Sequence, residues 1–313
     1  MINRSHAHNI PFLLALLACL LIPLLSSLGD SNSLIIHEIL NFGHILLFGT
    51  ASLAFLWLLN GRSWPVHTTK YYYITFFAAV CFGIVTEFLQ ALTPDRDFEI
   101  SDMIRDAIGA LSFLAVAYPS RLEYRSTVRK LRAVSLGAVA LAGMPIVFAL
   151  ILTWQMERDF PLISSLEAPW ETVRWQAKEA SLTRSRAYAT HGAYALEAHF
   201  KPGIYPGVVL EHFYGDWTGY ESFSFDVFLE GSTPLAITVR IDDASHDQSY
   251  QDRYNKTFDL APGSNHVSMD LQEVRSSPRG RFMDMRNITG MMVFSYNLKE
   301  PRTLFFDNFR LGR

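Results

Sequence analysis

Five apolar runs, all before residue 154, constrain this chain more than any other feature. They cover residues 10–28, 34–59, 71–92, 102–118 and 133–153. About 20 apolar residues in a helix cross a hydrocarbon core. In lipid the backbone must bond within its own segment, so runs of this kind fold as helices. The run at 102–118 is short and opens on polar residues. The run at 133–153 is rich in small residues (Gly137, Ala138, Ala140, Ala142, Gly143) that permit close helix packing, and Pro145 is expected to kink it. For residues 10–28 a secretory signal peptide is the competing reading, but no A-x-A site follows. Leu16-Leu17-Ala18-Cys19 has only a faint look of a lipoprotein box, because Leu-Leu-Ile-Pro follows it.

Past residue 170 the pattern changes. Ser222-Phe223-Ser224-Phe225-Asp226-Val227-Phe228 alternates with the period of a half-buried strand. Further strands are expected at 235–241, 257–260, 266–271, 290–295 and 303–311, with breakers such as Ala261-Pro262-Gly263 between them. Many short strands with turn signals indicate a β-sandwich or jelly roll. The fold class expected is therefore an α-helical membrane domain of about five spans plus an all-β sandwich. The expected boundaries are 1–154 for the helices, 155–169 for a juxtamembrane linker and 170–313 for the sandwich.

Charge orients the spans. Arg4, then Arg62 and Lys70, then Arg121, Arg125, Arg129, Lys130 and Arg132 fall on one side; only Arg96 falls in the short loops of the other. By the positive-inside rule the N-terminus is cytoplasmic, and five spans put the C-terminal half outside. The net charge of −3, without a block of one sign, argues against a nucleic-acid partner. The two cysteines, Cys19 and Cys81, lie in apolar runs and make no disulfide or metal framework.

Ionisable residues inside apolar spans are costly and point to function. Here they gather toward one side. Glu87 and Gln90 end the third run, Asp102 and Asp106 open the fourth, and His37, Asn41 and His44 occupy the outer half of the second. His44 lies about 15 Å below Leu34. Each set shares a helix face, so the faces are expected to converge near Arg96. A structural network is the plain alternative, with Arg96 pairing an acid and His44 bonded to Asn41. His44, Glu87, Gln90, Arg96, Asp102 and Asp106 are the candidates for proton transfer or head-group binding.

These residues resemble the VanZ-like membrane family over about 34–118. The likeness rests on His44, Glu87-x-x-Gln90, Pro94 with Arg96, and Asp102-x-x-x-Asp106-x-x-Gly109. The chain departs from it where the family often has Asp-Lys (Leu40-Asn41 here) and usually has Asn (Asp106 here). The resemblance implies a multi-pass protein of the bacterial plasma membrane. It would have a cell-envelope role, historically tied to glycopeptide tolerance. The chemistry of the cluster itself, with Arg96 beside it, points to a lipid-linked or anionic head group as partner.

The second half resembles carbohydrate-binding-module jelly rolls, related to galactose-binding-like domains. The residues are Gly215-Asp216-Trp217-Thr218-Gly219-Tyr220, Val239-Arg240-Ile241-Asp242-Asp243, Arg253-Tyr254-Asn255-Lys256 and Phe305-Phe306-Asp307-Asn308-Phe309. This resemblance implies an envelope polysaccharide or other glycan as partner. Sugar rings stack on flat apolar faces and give hydroxyls to carboxylates and amides. The candidates are Tyr214, Trp217, Tyr220, Asp242, Asp243, Arg253 and Tyr254, with Tyr205 and Tyr250. Trp217 and Tyr220 also read as packing at a strand start, and Asp242-Asp243 as a strand-end cap. Asp307 resembles a structural calcium position of this fold, the one cofactor expected. No glycosidase-like carboxylate pair is identifiable.

Overall fold

The computed structural model describes residues 34–92, 99–119 and 124–313. The expected span at 10–28, Cys19, Pro94 and Arg96 lie outside these. Two compact units divide between Ile151 and Leu152, within a helix.

The first unit is helical: α1 (Leu34–Leu59), α2 (Thr69–Gln90), α3 (Ile100–Ala117), α4 (Arg125–Ala142) and the start of α5 (Met144–Asp159). On α1 the buried residues Ile45, Phe48, Gly49, Ser52 and Leu56 recur at three- and four-residue spacing, one stripe of a helix. The α3 helix packs against α1, α2 and α4. Glycines set the distances. A Cβ on Gly109 would lie 2.3 Å from the Ile45 carbonyl oxygen, and one on Gly49 would lie 2.4 Å from the Phe113 ring. The opposite faces are apolar and exposed, with Phe77 and Phe88 on α2 and Leu141 on α4 among them.

Three described stretches are long and apolar enough to cross a membrane: Leu34–Leu59, Thr69–Gln90 and Arg125–Asp159. The expected fourth span, α3, is not among them; within 18 residues it carries Asp102, Arg105 and Asp106. The last run breaks at Gly143 instead of kinking at Pro145. Proline lacks the N–H of a helix interior but fits a first turn, so α5 restarts just ahead of it.

The second unit is a two-sheet sandwich. Its strands are β1 (Leu162–Ser164), β2 (Trp175–Lys178), β3 (Ala180–Ser185), β4 (Ala195–Phe200), β5 (Gly207–Leu210), β6 (Ser222–Leu229), β7 (Leu235–Asp243), β8 (Tyr254–Leu260), β9 (Gly263–Asp270), β10 (Ile288–Phe294) and β11 (Arg302–Gly312). A short helix, α6 (Leu271–Ser276), follows β9. One sheet runs β3-β4-β11-β6-β9 with β1 also on β11; the other runs β2-β5-β10-β7-β8. All pairings are antiparallel, and the chain repeatedly changes sheet between successive strands, which is jelly-roll topology. The inward residues of β6 (Phe223, Phe225, Val227, Leu229) are buried. Phe225 stacks on Phe309 at 4.9 Å, and Trp217 meets Phe223 at 5.0 Å.

The six strands expected from alternation are present. The stretch 155–169, expected as a linker, is folded: α5 runs to Asp159, β1 pairs with β11, and Ile163 and Leu166 join the core. Strands β2 to β5 were not foreseen. Ala195-Leu196-Glu197 in β4 favours helix by propensity, and sheet pairing overrides that preference.

Candidate functional site

In the helical unit the interhelical glycines bring the polar residues together. Gly109 lets α3 reach the α1 backbone beside His44. Asp106, one turn earlier on α3, then meets His44 Nδ1 at 3.0 Å. Asp102, a turn earlier again, lies 3.6 Å from His44 Nε2 and pairs with Arg105. On α2, Gly83 leaves room for Asp106, whose Oδ2 would be 2.9 Å from a Cβ there. Glu87, one turn on, is 1% exposed and accepts the Glu99 backbone N–H at 3.1 Å, capping the start of α3. Gln90 is buried on the same helix. His44, Asp102, Asp106 and Gly109 thus lie together, with an imidazole between two carboxylates. Glu87 Oε1 and Asp106 Oδ2 have no hydrogen-bond partner among the described residues.

His37 and Asn41, expected to join this group, form no hydrogen bond to it among the described residues. They bond to each other at 3.3 Å, and Asn41 also bonds Glu38. Among the described residues Asp102 and Asp106 both face His44, and Arg105 pairs with Asp102.

In the sandwich, several sequence candidates prove structural. Trp217 and Tyr254 are each 1% exposed and belong to the core, so neither offers a face to a ligand. Asp243 is buried under Arg281, accepting from both terminal nitrogens at 2.7 and 2.8 Å and from the Asp284 N–H at 2.6 Å. Burial alone would raise its carboxyl; these donors outweigh burial and hold it below the usual range. Tyr214 and Tyr220 pack edge-on around Phe160, at 4.7 and 5.4 Å.

Asp307, the residue that resembles a structural calcium position, is held by backbone donors. Its Oδ2 accepts the Thr190 and His191 N–H groups, both at 2.7 Å, and its Oδ1 accepts that of Asn308 at 2.6 Å. These hydrogen bonds clamp the 190–191 turn to β11. His246, Asp247 and Asp252 bring one ligand atom each within 4.8 Å of one another. Arg281 and the Asp247 N–H already hold Asp252, so that group too is a loop clamp.

The remaining candidates meet on the outer face of the β2-β5-β10-β7-β8 sheet. Register aligns Gln176, Val209, Met292, Arg240 and Asn255 in one cross-strand row, and Lys178, Gly207, Phe294, Thr238 and Thr257 in the next. A Cβ on Gly207 would lie 2.6 Å from Phe294 Cβ, so glycine seats that ring on the sheet. Tyr205 meets Phe294 edge-on at 5.6 Å and Tyr296 at 5.5 Å. Arg240 donates to Asp242 at 2.6 Å, and Gly290 opposite leaves space for that carboxylate. The Arg253 guanidinium lies 5.3 Å from the Tyr250 ring. Burial, then the neighbouring Arg240, lowers its affinity for the proton. Arg253 Nε and Asn255 Oδ1 are buried without a hydrogen-bond partner among the described residues. Tyr250 and Tyr296 are exposed. In the sequence Arg240 and Asn255 stand only within the motifs of the resemblance, and Tyr296 carries no signal, although the alternation Val239-Arg240-Ile241-Asp242 places Arg240 beside Asp242.

Fold and face together define a jelly-roll sandwich joined in one chain to a bundle of apolar helices. No family model and no curated protein matches the chain. Among solved structures it is similar to a family 11 carbohydrate-binding module from Clostridium thermocellum in complex with a β-1,3-1,4-mixed-linked tetrasaccharide. That match has 16% identity and a TM-score of 0.39, over 48% of this chain and 94% of that one. It is also similar to an exo-β-agarase, at 14% identity and a TM-score of 0.40, over 48% of this chain and 24% of the other. A family 22 xylan-binding domain matches at 14% identity and a TM-score of 0.33, over 48% and 92%.

Proposed function

We propose that this is a multi-pass plasma-membrane protein of the VanZ-like kind that presents a glycan-binding sandwich outside the cell. One observation carries the glycan reading. Exposed Tyr250 and Tyr296 and half-exposed Tyr205 share a sheet face with Arg240, Asp242 and Arg253. Flat rings beside guanidinium donors and a carboxylate acceptor suit a pyranose, whose hydroxyls both give and accept hydrogen bonds. The membrane reading is supported by three apolar stretches of spanning length whose outward faces carry exposed Phe and Leu. The His44 cluster, with Asp102 and Asp106 facing the imidazole, suits a head group that donates hydrogen bonds, such as an amine or a sugar.

The test is calorimetric titration of the full chain in detergent with soluble mixed-linkage glucan and xylan. Tyr205→Ala combined with Tyr296→Ala should weaken binding about tenfold or more. No heat with either glycan, or binding unchanged in that variant, would refute the sheet-face reading.

A second reading, an integral-membrane enzyme acting on a lipid-linked envelope substrate, is favoured by His44 sitting between Asp102 and Asp106. An imidazole placed so can move a proton between two carboxylates. Incubation with membrane lipid extract, followed by mass spectrometry, should show turnover that His44→Gln abolishes. Identical lipid profiles with and without the protein would dispose of it.

A further inference from the structure

A second concavity lies off the sheet face. It is a cleft of about 380 Å³ walled by the 217–220 turn, α6 and the 282–286 segment. That size is within the usual range of small-ligand sites. Its walls are tied together by the backbone. The Trp217 N–H donates to the Met285 carbonyl at 2.8 Å, and the Met283 N–H to the Arg275 carbonyl at 2.8 Å. The cleft therefore exists before any ligand arrives.

Its chemistry is lopsided. Phe282 is 68% exposed and puts a flat apolar ring in the wall. The Arg275 guanidinium lies 5.3 Å from that ring. Arg286 is also in the wall, as are the Gln272 amide and the Tyr220 ring. The nearby acids are turned into their own loops. Asp284 accepts the Arg286 N–H at 3.1 Å and the Asn287 amide at 2.6 Å. Asp216 accepts the Thr218 N–H at 3.0 Å and its hydroxyl at 2.6 Å; Arg286 feels that charge but is not bonded to it. Among the described residues neither Arg275 nor Arg286 forms an ion pair with a carboxylate.

We propose that this cleft binds a uronic-acid residue of an acidic polysaccharide. The sugar ring lies on Phe282, its carboxylate faces Arg275 and Arg286, and Gln272 takes a hydroxyl. Guanidinium pairs carboxylate bidentately, which gives the site a preference for an acidic sugar over a neutral one. The exposed ring favours a sugar over a phospholipid head group, which would need charge but no flat platform.

The test uses the full chain in zwitterionic nanodiscs, titrated with trigalacturonate and with neutral cellotriose. Trigalacturonate should bind, and its affinity should fall with added salt. Arg275→Gln with Arg286→Gln, and separately Phe282→Ala, should each weaken it about tenfold or more. All three side chains line an open cleft, so unchanged melting temperatures would show that the variants fold. Tyr205→Ala with Tyr296→Ala should leave trigalacturonate binding intact, so this site and the sheet face stand or fall separately. Failure of trigalacturonate to bind, equal binding of cellotriose, or affinity unchanged in the cleft variants would overturn the proposal. So would arginine-dependent binding to anionic-lipid nanodiscs alone.

Discussion

Asp243 shows how a residue that reads as ligand-binding in sequence becomes a fastener in three dimensions. Its side chain is fully buried, and its oxygens hold Arg281 and the start of the loop that carries Phe282. Removing one member of a buried pair strands the other. Arg281 is 28% exposed and keeps Asp252 as a partner, so Asp243→Asn should cost about 1.5–3 kcal/mol in a denaturant melt, the range for hydrogen bonds to charged groups. The pH dependence has a definite sign. The folded carboxyl sits below its unfolded value, so the stabilisation is complete above about pH 4 and is lost as pH falls toward the folded value. The melting-temperature gap between wild type and Asp243→Asn should therefore narrow on acidification below that point. A gap constant with pH would mean that the carboxylate charge is not what holds Arg281.

At the scale of elements, the helical unit depends on backbone approach more than on side-chain bulk. Gly109 faces the Ile45 carbonyl, and a backbone atom cannot rotate away as a side chain can. Gly109→Val should force α3 off α1, at a cost of about 1–3 kcal/mol. Thermal unfolding in detergent should report the loss, and separation of His44 from Asp106 should follow. The same interface shows what sequence could tell. Helical spacing correctly put Asp102, Asp106 and Gly109 on one face, because a 3.6-residue period is a local property. It also made His37 and Asn41 i,i+4 neighbours, and they bond to each other; what it could not tell is how closely α3 approaches α1, which Gly109 sets, 68 positions from Asn41. In the sandwich, alternation revealed the core strands β6, β7 and β10, whose inward residues are strongly apolar. Strand β3 was invisible because none of its residues is fully buried, so no apolar rhythm marks it. Trp217 and Tyr254 were legible as aromatics and not as core, because burial depends on partners distant in sequence.

At the scale of the whole molecule, the proposed topology makes a direct prediction. In a background with Cys19→Ser and Cys81→Ser, a cysteine at Ser245 should react with a membrane-impermeant maleimide added to intact cells. A cysteine at Ser63, in the loop before α2, should react only after lysis. The reverse pattern would invert the protein and place the sandwich inside. A last consequence follows from strand order. The middle strands of the two sheets are β10 and β11, the last two strands in the chain. During synthesis β3 and β4 wait apart from β6 and β9, and β2 and β5 apart from β7 and β8, each pair with a bare inner edge. Neither sheet closes until residues 288–312 have left the ribosome, so the nascent domain spends most of its emergence as four unjoined ribbons. A chain interrupted before residue 288 would keep nine of eleven strands and lack the middle of both sheets, a species for a chaperone or a protease to deal with.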